Sequence, residues 1–287
     1  MYVVGGVTGH TGSLVARTLL ERGEPVRAIV RKREDIYNWK DRGAEVVVAD
    51  LNDPQALTFV LEGMKGAYLL TPQTVYDSNP LEKWAFQNQS IVSAIKNARL
   101  KNTVFLSSMG AHLDKNTGMV QALYDAEQKF KNAQVPVTAL RAAYFYENWI
   151  PALDAVHEKS ALPTFLKPKH SIPMVSVKDV AAIAVDLLLN PTESHRVVEL
   201  SGPKDYSVQD IINFLEQTLG KRLDLLLYSE GGLEEVWGEE KLTDEMYDLL
   251  TETYDGLNKN KITFSGKNVD TRQGTVTLEE VLEKWVS

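Results

Sequence analysis

Tyr124 and Lys129 lie five positions apart in the stretch ALYDAEQKF, for which we predict a helix. A phenol and an ammonium group on one helix face can transfer protons together, because the cation lowers the pKa of the phenol. Residues four apart on a helix lie about 40° from each other, and residues five apart about 140°. The residue four positions after Tyr124 is Gln128, so we expect Lys129 to point elsewhere, toward solvent.

The neutral side chain of Gln128 limits the chemistry available to this helix. An amide can hydrogen-bond a hydroxyl group, but it cannot lower the pKa of a phenol from about 10 toward neutrality. Oxidation of an alcohol and epimerisation of a sugar need such a base, so this helix is poorly suited to catalyse either reaction. A reduction that leaves an anion delocalised over a ring is less demanding, since a neutral Tyr124 or water can supply the proton. The alternative is that Tyr124 only packs or lines a cleft.

A glycine-rich stretch near the start gives the strongest functional signal. YVVG predicts a short strand, Gly6, Gly9 and Gly12 follow at a spacing of three, and a helix is predicted over 12–22. Such glycines permit a tight turn and bring backbone N–H groups, with the positive end of the helix, against a pyrophosphate. Because a strand precedes the glycines and a helix follows them, the pattern predicts a dinucleotide-binding loop rather than a structural turn.

The residues after the second predicted strand indicate which dinucleotide fits. An NAD-specific site places an Asp or Glu about 20 residues after the glycines, where it accepts from the ribose 2′-hydroxyl. This chain has Arg31-Lys32-Arg33 there, and cations attract a 2′-phosphate. We therefore expect NADP(H), with NAD(H) as the alternative if the basic run is only solvated surface. Asp50 and Leu51, at the end of the third strand, are expected to flank the adenine.

Strands and helices alternate through the first half of the chain. Continuous apolar strands such as VRAIV and TVFLSS are typical of a parallel sheet that is covered on both faces. The sequence thus predicts an α/β protein, with a Rossmann-like doubly wound parallel sheet and a smaller α+β C-terminal lobe for the substrate. After the first helix, helices are expected at 33–42, 54–62, 80–99 and 119–132.

The pattern loosens after Arg141. We assign residues 1–150 to the dinucleotide-binding domain, to which 174–202 return a helix and a strand, and assign 151–173 and 203–287 to the smaller lobe. Within these segments we expect a loop at 163–173, a helix over 178–189, a helix that Ser207 begins as N-cap and Gly220 follows, a strand in RLDLLLY, and helices near 233–239, 243–255 and 277–286.

Composition and charge exclude several classes of function. The formal net charge of -8, from 31 basic and 39 acidic side chains, has the wrong sign for binding nucleic acid by bulk electrostatics. The chain has no cysteine, and its five histidines lack metal-ligand spacing, so no disulfide or metal site is expected. No signal peptide and no apolar run of about 20 residues is visible. We expect a cytoplasmic protein with no membrane partner and no direct nucleic-acid partner.

Five motifs occur at characteristic places along the chain: the G-x-x-G-x-x-G loop, Arg31 after the second strand, LLTP, FLSSMGA and LRAAYFYENW. Together they resemble the NmrA-like branch of the atypical short-chain dehydrogenases, and most of all its NAD(P)H-dependent quinone oxidoreductase-like members. The similarity covers nearly the whole chain, including VSVKDVA and the final TVTLEEVLEKW.

The resemblance implies roles for individual residues. Those expected to line the pyrophosphate are Gly6, Thr8, Gly9, His10, Thr11 and Gly12. Arg31 would take the 2′-phosphate, Thr71 and Pro72 would lie beside the cofactor, and Ser107 and Ser108 would lie near the nicotinamide. The substrate cleft would be formed by Tyr144, Phe145 and Asn148, although the aromatic side chains could instead be core between the lobes.

Three functions stay open at this point. The first is an NADPH-dependent reductase of quinones or related electrophilic carbonyls, which takes a small-molecule electron acceptor and lacks the lysine of a Tyr-x-x-x-Lys pair. The second is a sensor that binds NADP(H) without turnover and contacts a protein partner. The third is a nucleotide-sugar epimerase-like enzyme. The sequence is compatible with both a monomer and a homodimer.

Overall fold

The computed structural model describes residues 1–192, 194–229, 232–233, 242–267 and 269–286. Its strands are β1 (Tyr2–Val4), β2 (Val26–Val30), β3 (Glu45–Val48), β4 (Gly66–Leu69), β5 (Thr103–Ser108), β6 (Val137–Ala142), β7 (Tyr144–Phe145), β8 (Ala161–Thr164), β9 (Ile172–Val175), β10 (Arg196–Ser201), β11 (Asp205–Tyr206), β12 (Asp224–Leu227) and β13 (Asp270–Gln273). Eight of them form one sheet in the order β13-β10-β6-β5-β4-β1-β2-β3, in which every neighbouring pair is parallel.

Helices cover both faces of this sheet. They are α1 (His10–Glu21), α2 (Ile36–Lys40), α3 (Pro54–Leu61), α4 (Pro80–Asn97), α5 (Gln121–Ala133), α6 (Leu153–Lys159), α7 (Val177–Leu189), α8 (Val208–Leu219), α9 (Asp244–Asn258) and α10 (Leu278–Val286), with 3₁₀ helices at Arg33–Asp35, Gly118–Val120 and Tyr146–Ala152. In one group of helices α1 packs against α7, and in the other α4 packs against α3 and α5. The expected doubly wound α/β fold is therefore confirmed. None of the described helices is long and apolar enough to cross a membrane.

The strand order reverses beside β1, and this reversal locates the site. The chain runs from β1 outward to β2 and β3, then returns to β4 on the other side of β1. The connections after β1 and β4 leave in opposite directions, so a crevice forms at the carboxyl ends of these two strands. All residues of both strands are buried, so the crevice lies at the end of two strands that belong to the core.

Local sequence signals fix several helix ends as expected. Asp53 accepts hydrogen bonds from the N–H groups of Gln55 and Ala56, at 2.9 and 3.0 Å, and so begins α3. Ser207 begins α8 in a reciprocal capping box with Asp210, and Gly220 ends it with a φ of 63°. Both expectations for this helix are confirmed.

The smaller lobe consists of short sheets and helices. A three-stranded sheet has the order β11-β9-β7, and β12 pairs with β8. The loop expected at 163–173 is shorter than predicted, because its two ends are paired in β8 and β9. An apolar cluster that includes Trp84 of α4, Ala122 of α5 and Leu250 of α9 joins this lobe to the main sheet layer.

The C-terminal segment departs from the sequence assignment of 203–287 to the smaller lobe. Strand β13 pairs in parallel with β10 and so extends the main sheet. The strand is exposed and polar (DTRQ), and a polar edge strand carries no apolar pattern by which it could be recognised. Residues 234–239 of the helix expected at 233–239 lie outside the described residues.

Candidate functional site

The glycine loop connects β1 to α1 through very close backbone contacts. Gly6 has a φ of +64°, in the left-handed region that favours glycine. A Cβ atom at Gly12 would lie 2.3 Å from the carbonyl oxygen of Gly6 and 2.5 Å from that of Gly5. Only hydrogen fits at this position, and α1 can therefore begin directly behind the turn.

The first turn of α1 leaves backbone N–H groups available to an anion. These groups have no intrahelical acceptor. Those of His10, Thr11 and Gly12 donate to no other acceptor within the described part of the chain, and the first turn has no acidic residue. Together with the positive end of the helix dipole they are the kind of donors that attract a phosphate. The loop thus has the backbone space and the donors that a pyrophosphate requires.

A cavity of about 430 Å³, here called the dinucleotide cavity, lies above the loop. Of the loop residues expected at the pyrophosphate, all but the buried Gly12 line it. Its described wall consists of Gly6, Thr8, Gly9, His10, Thr11, Ile29, Arg31, Ala49, Leu51, Leu70, Thr71, Pro72, Gln73, Leu106 and Phe145. The structure therefore brings the glycine loop together with residues that follow β2, β3 and β4.

The end of this cavity nearest β2 is basic. Arg31 is exposed in the wall and makes no ion pair within the described residues, whereas Lys32 pairs with Glu34 at 3.2 Å. No Asp or Glu is among the described wall residues. Asp50 is not among the described wall residues, and its Oδ1 accepts from the backbone and side-chain amides of Asn52 at 2.9 and 2.8 Å. The wall thus presents a cation and no carboxylate to a ribose at this end.

A second cavity, of about 250 Å³, adjoins the first and is here called the acceptor cavity. The residues that line both are Leu70, Thr71, Gln73, Leu106 and Phe145. The remaining described residues of its wall are Ser107, Ser108, Met119, Val120, Leu123, Ala142, Ala143, Tyr144 and Asn148. The structure thus places Ser107, Ser108, Tyr144, Phe145 and Asn148 together in one wall. Because the two cavities share walls, ligands in both would touch.

A buried ionic network holds Ser107 in the acceptor cavity. The Ser107 hydroxyl donates to Oε1 of Glu127 at 2.6 Å, and Arg141 donates to both oxygens of Glu127 at 3.0 and 2.6 Å. Arg141 also reaches Glu199 at 3.3 Å, and Glu199 accepts from Ser265 and from the Gly266 N–H. All three charged side chains are at most 7% exposed. Since the Ser107 hydroxyl donates its hydrogen bond to Glu127, its oxygen presents lone pairs to the cavity.

Electrostatics within this network favour its charged form. Burial alone would lower the pKa of Arg141, but hydrogen bonds and charge from Glu127 and Glu199 raise it. Burial likewise opposes ionisation of Glu199, yet hydrogen bonds from Ser265, Gly266 and Arg141 bring its pKa below the usual value. The ions therefore stay paired at neutral pH.

Tyr144 and Asn148 are neutral hydrogen-bonding groups in the wall of the acceptor cavity. Burial raises the pKa of Tyr144 well above its usual value; the neighbouring Tyr254 hydroxyl adds to this and Asn148 opposes it. Burial also raises the pKa of Tyr254, on α9, to about 12. Both phenols thus stay protonated at neutral pH and can act as donors.

Thr71, which lines both cavities, is oriented by side chains of α4 and α5. Its hydroxyl donates to Oδ1 of the fully buried Asn88, whose amide donates to the Ala122 carbonyl and to Asp125, each at 2.8 Å. Asp125 in turn pairs with Lys129. Lys129 is therefore not a free surface lysine as the sequence suggested, since the ion pair leaves its side chain only 24% exposed.

The face of α5 that meets the acceptor cavity carries Leu123 rather than Tyr124. Tyr124 and Gln128 are half-buried and are not among the described residues of either wall. Leu123 and Tyr124 differ by about 100° around the helix, and of these two only Leu123 lines the cavity. The roles suggested for Tyr124 and Gln128 stay predictions, and the proton chemistry below is derived from the groups that line the cavity.

Sequence reasoning missed the residues that act through tertiary contacts. Gln73, whose amide donates to the Met119 carbonyl at 2.9 Å, borders both cavities, and Glu127 and Arg141 support Ser107 from beneath. A charged residue inside an otherwise buried strand, such as Arg141 in β6, is the signal that could have indicated a buried ion pair.

A parallel sheet whose strand order reverses above a glycine loop defines a Rossmann-like protein. The chain belongs to the NmrA-like family, whose model matches residues 1–279. The resemblance inferred from the sequence motifs is thus confirmed.

Individual relatives within this similarity have different named roles. The NAD(P)H azoreductase of Xenophilus azovorans is 26% identical over 223 residues, which cover 77% of this chain and 74% of the azoreductase. The photosystem II assembly factor Ycf39 of Trieres chinensis is also 26% identical over 223 residues, covering 77% of this chain and 69% of Ycf39. A crystal structure of the NADPH-dependent quinone oxidoreductase QOR2 from Escherichia coli, complexed with NADPH, superposes with a TM-score of 0.83 at 22% identity over 100% of both chains. That last likeness shows the shared fold.

Proposed function

We propose that the protein is an NADPH-dependent reductase of quinones or related electrophilic carbonyls. The observation that carries this proposal is the pair of cavities with shared walls, one above the glycine loop and one lined by neutral hydrogen-bond donors. Relatives named as a NAD(P)H azoreductase and an NADPH-dependent quinone oxidoreductase support it.

The dinucleotide would be held by the backbone at one end and by a cation at the other. The N–H groups of the first turn of α1 would bind the pyrophosphate, Arg31 would bind a 2′-phosphate, and Leu51 would flank the adenine. Thr71 and Phe145 would then lie beside the nicotinamide, because they line the boundary with the acceptor cavity.

When bound, the reduced nicotinamide supplies a hydride, which carries both electrons to the acceptor. The acceptor ring then bears an oxyanion that must take up one proton. Tyr144 and Asn148 can hydrogen-bond this oxygen as neutral donors, and the phenol or water can supply the proton. Ser107 is less suited as a donor, because its hydroxyl already donates a hydrogen bond to Glu127. A delocalised anion needs only such weak acids.

The direct test measures NADPH oxidation at saturating cofactor across a panel of small quinones and enones. We expect multiple turnovers, with NADPH favoured over NADH. Tight NADP(H) binding without turnover on any member of the panel would contradict the reductase proposal while leaving the cofactor site intact.

Cofactor choice is tested by comparing Arg31→Ser with Arg33→Ser. The two arginines belong to the same basic run, but only Arg31 lines the dinucleotide cavity. Loss of a charge-assisted phosphate contact should raise KM for NADPH about tenfold in Arg31→Ser and leave KM for NADH unchanged. Equal effects of the two substitutions would show that the run acts only through bulk charge.

The second candidate function is a sensor that binds NADP(H) without turnover. Two observations favour it. The apolar Leu123 lines the acceptor cavity at a position where an acid with a lowered pKa would assist catalysis, and one relative is named as an assembly factor. Turnover of many acceptor molecules per protein would exclude it. If instead no acceptor is reduced, a partner whose affinity differs between the NADPH and NADP⁺ forms would support it.

A further inference from the structure

A third cavity, of about 390 Å³, lies apart from the two already described. It is formed by α1, the 3₁₀ helix Tyr146–Ala152, the start of α7 and α10. Of the described residues, only His10 borders both this cavity and the dinucleotide cavity. A ligand could therefore occupy it while the dinucleotide cavity is filled. Its volume lies in the range typical of small-molecule sites.

The wall of this cavity holds three cations that lack acidic partners. Arg17, Lys178 and Lys284 make no ion pair within the described residues. The two lysines come from different helices, α7 and α10, and both line the cavity. Lys284 holds the pKa of Lys178 below its usual value, and burial adds to this. Like charges that line one cavity repel, and an anion between them would relieve the repulsion.

The nearby carboxylates accept hydrogen bonds from other groups. Glu147, the single acid in the described wall, accepts from the Ser176 hydroxyl at 3.0 Å and from the Val177 N–H at 3.1 Å. Glu280, whose charge also acts on Lys178, accepts from the Thr277 N–H at 2.8 Å. Arg17, Lys178 and Lys284 outnumber the one carboxylate in the described wall, so the cavity has an excess of positive charge.

Most of the remaining wall is apolar. Leu14, Ile150, Pro151 and Val281 contribute to it, together with the indole of Trp285. Trp285 is 57% exposed, an unusual exposure for so large an apolar side chain. Simple inorganic anions would leave this surface in contact with water, whereas an aromatic ring would cover it.

We propose that this third cavity binds an organic anion, an aromatic carboxylate or sulfonate, with its charged group between Lys178 and Lys284 and its ring against Trp285. Each lysine contributes a charge-assisted hydrogen bond, and the ring contributes apolar burial. The site does not depend on the reductase proposal, since it requires neither cofactor nor turnover.

The test is a calorimetric titration of naphthalene-1-sulfonate into the full chain, with and without saturating NADP⁺. We expect one site whose affinity NADP⁺ leaves unchanged within about twofold. The double substitution Lys178→Gln/Lys284→Gln should weaken binding at least about tenfold. Lys96→Gln/Lys101→Gln is the matched control, because it removes the same charge from exposed lysines outside the cavity. Trp285→Ala should weaken binding about fivefold through lost apolar contact.

Three results would overturn the proposal: no binding of the probe, equal affinity of the double variant and its control, or displacement of the probe by NADP⁺. The last would place the probe in the dinucleotide cavity. Neutral 1-naphthol should bind much more weakly than the sulfonate, and equal affinity would also contradict a role for the lysines. All four lysines are exposed, so the folded state should persist in both double variants, as circular dichroism can verify.

Discussion

Removal of the Arg141 guanidinium should destabilise the protein in a pH-dependent way. Arg141→Leu leaves Glu127 and Glu199 buried without a cation, although each is at most 4% exposed. Breaking a buried ion pair by removing one partner costs about 3–5 kcal/mol. At about 2–4 °C per kcal/mol for domains of comparable size, the Tm should fall by on the order of 10 °C.

The sign of the pH effect follows from the carboxylates left behind. Without Arg141 the pKa values of these carboxylates in the folded state rise above the unfolded value of about 4.3. The free-energy cost of burying them in charged form is therefore largest at high pH, and it decreases as the pH falls through the raised pKa values. In the unaltered protein the pKa of Glu199 is lowered, so its stabilisation is lost only below the unfolded value. His112, whose pKa burial and Arg141 both lower, would gain charge more readily beside the lone carboxylates. The Tm deficit should therefore narrow between pH 8 and pH 5.5.

The assay is thermal unfolding followed by circular dichroism at both pH values. Arg196→Leu is the matched control, because Arg196 lies on the adjacent strand β10 and its guanidinium donates to the neutral Thr138 hydroxyl at 3.1 Å. A Tm within about 3 °C of this control, or a deficit that does not narrow at pH 5.5, would refute the account of a charged buried network. If Arg141→Leu does not fold, Glu127→Gln, which leaves Arg141 paired with Glu199, should show a smaller loss.

Three further substitutions test the site and its scaffold. Gly12→Ala should weaken NADPH binding at least about tenfold in a calorimetric titration, because the new Cβ would meet backbone 2.3 Å away. Gly23→Ala, whose Cβ meets nothing within 4 Å, should lower the stability because Gly23 has a φ of +77°, but should leave the affinity unchanged. Tyr144→Phe should lower kcat about tenfold without changing KM for NADPH, and an unchanged kcat would exclude its hydroxyl from proton transfer. Ser207→Ala should lower the free energy of unfolding by about 1 kcal/mol through loss of the capping box and leave the affinity for NADPH unaltered.

The sequence alone determined the fold class, the glycine loop and the basic end of the dinucleotide cavity. These features depend on local patterns: apolar strands alternating with helices, three glycines between a strand and a helix, and Arg31 just after a strand. Parallel strands place their carboxyl ends at one edge, so residues that follow different strands, such as Thr71 and Ser107, could be assigned to one site before their contacts were known.

Only the tertiary structure decided which side chains face the cavities. The described wall of the acceptor cavity includes Leu123 but not Tyr124, and a difference of one residue is about 100° on a helix. Asp125 takes Lys129 as its partner, and Glu127 and Arg141 meet although they lie 14 residues apart. Packing between elements sets these relations, because sequence periodicity specifies which face of a helix is buried but not which neighbour that face meets.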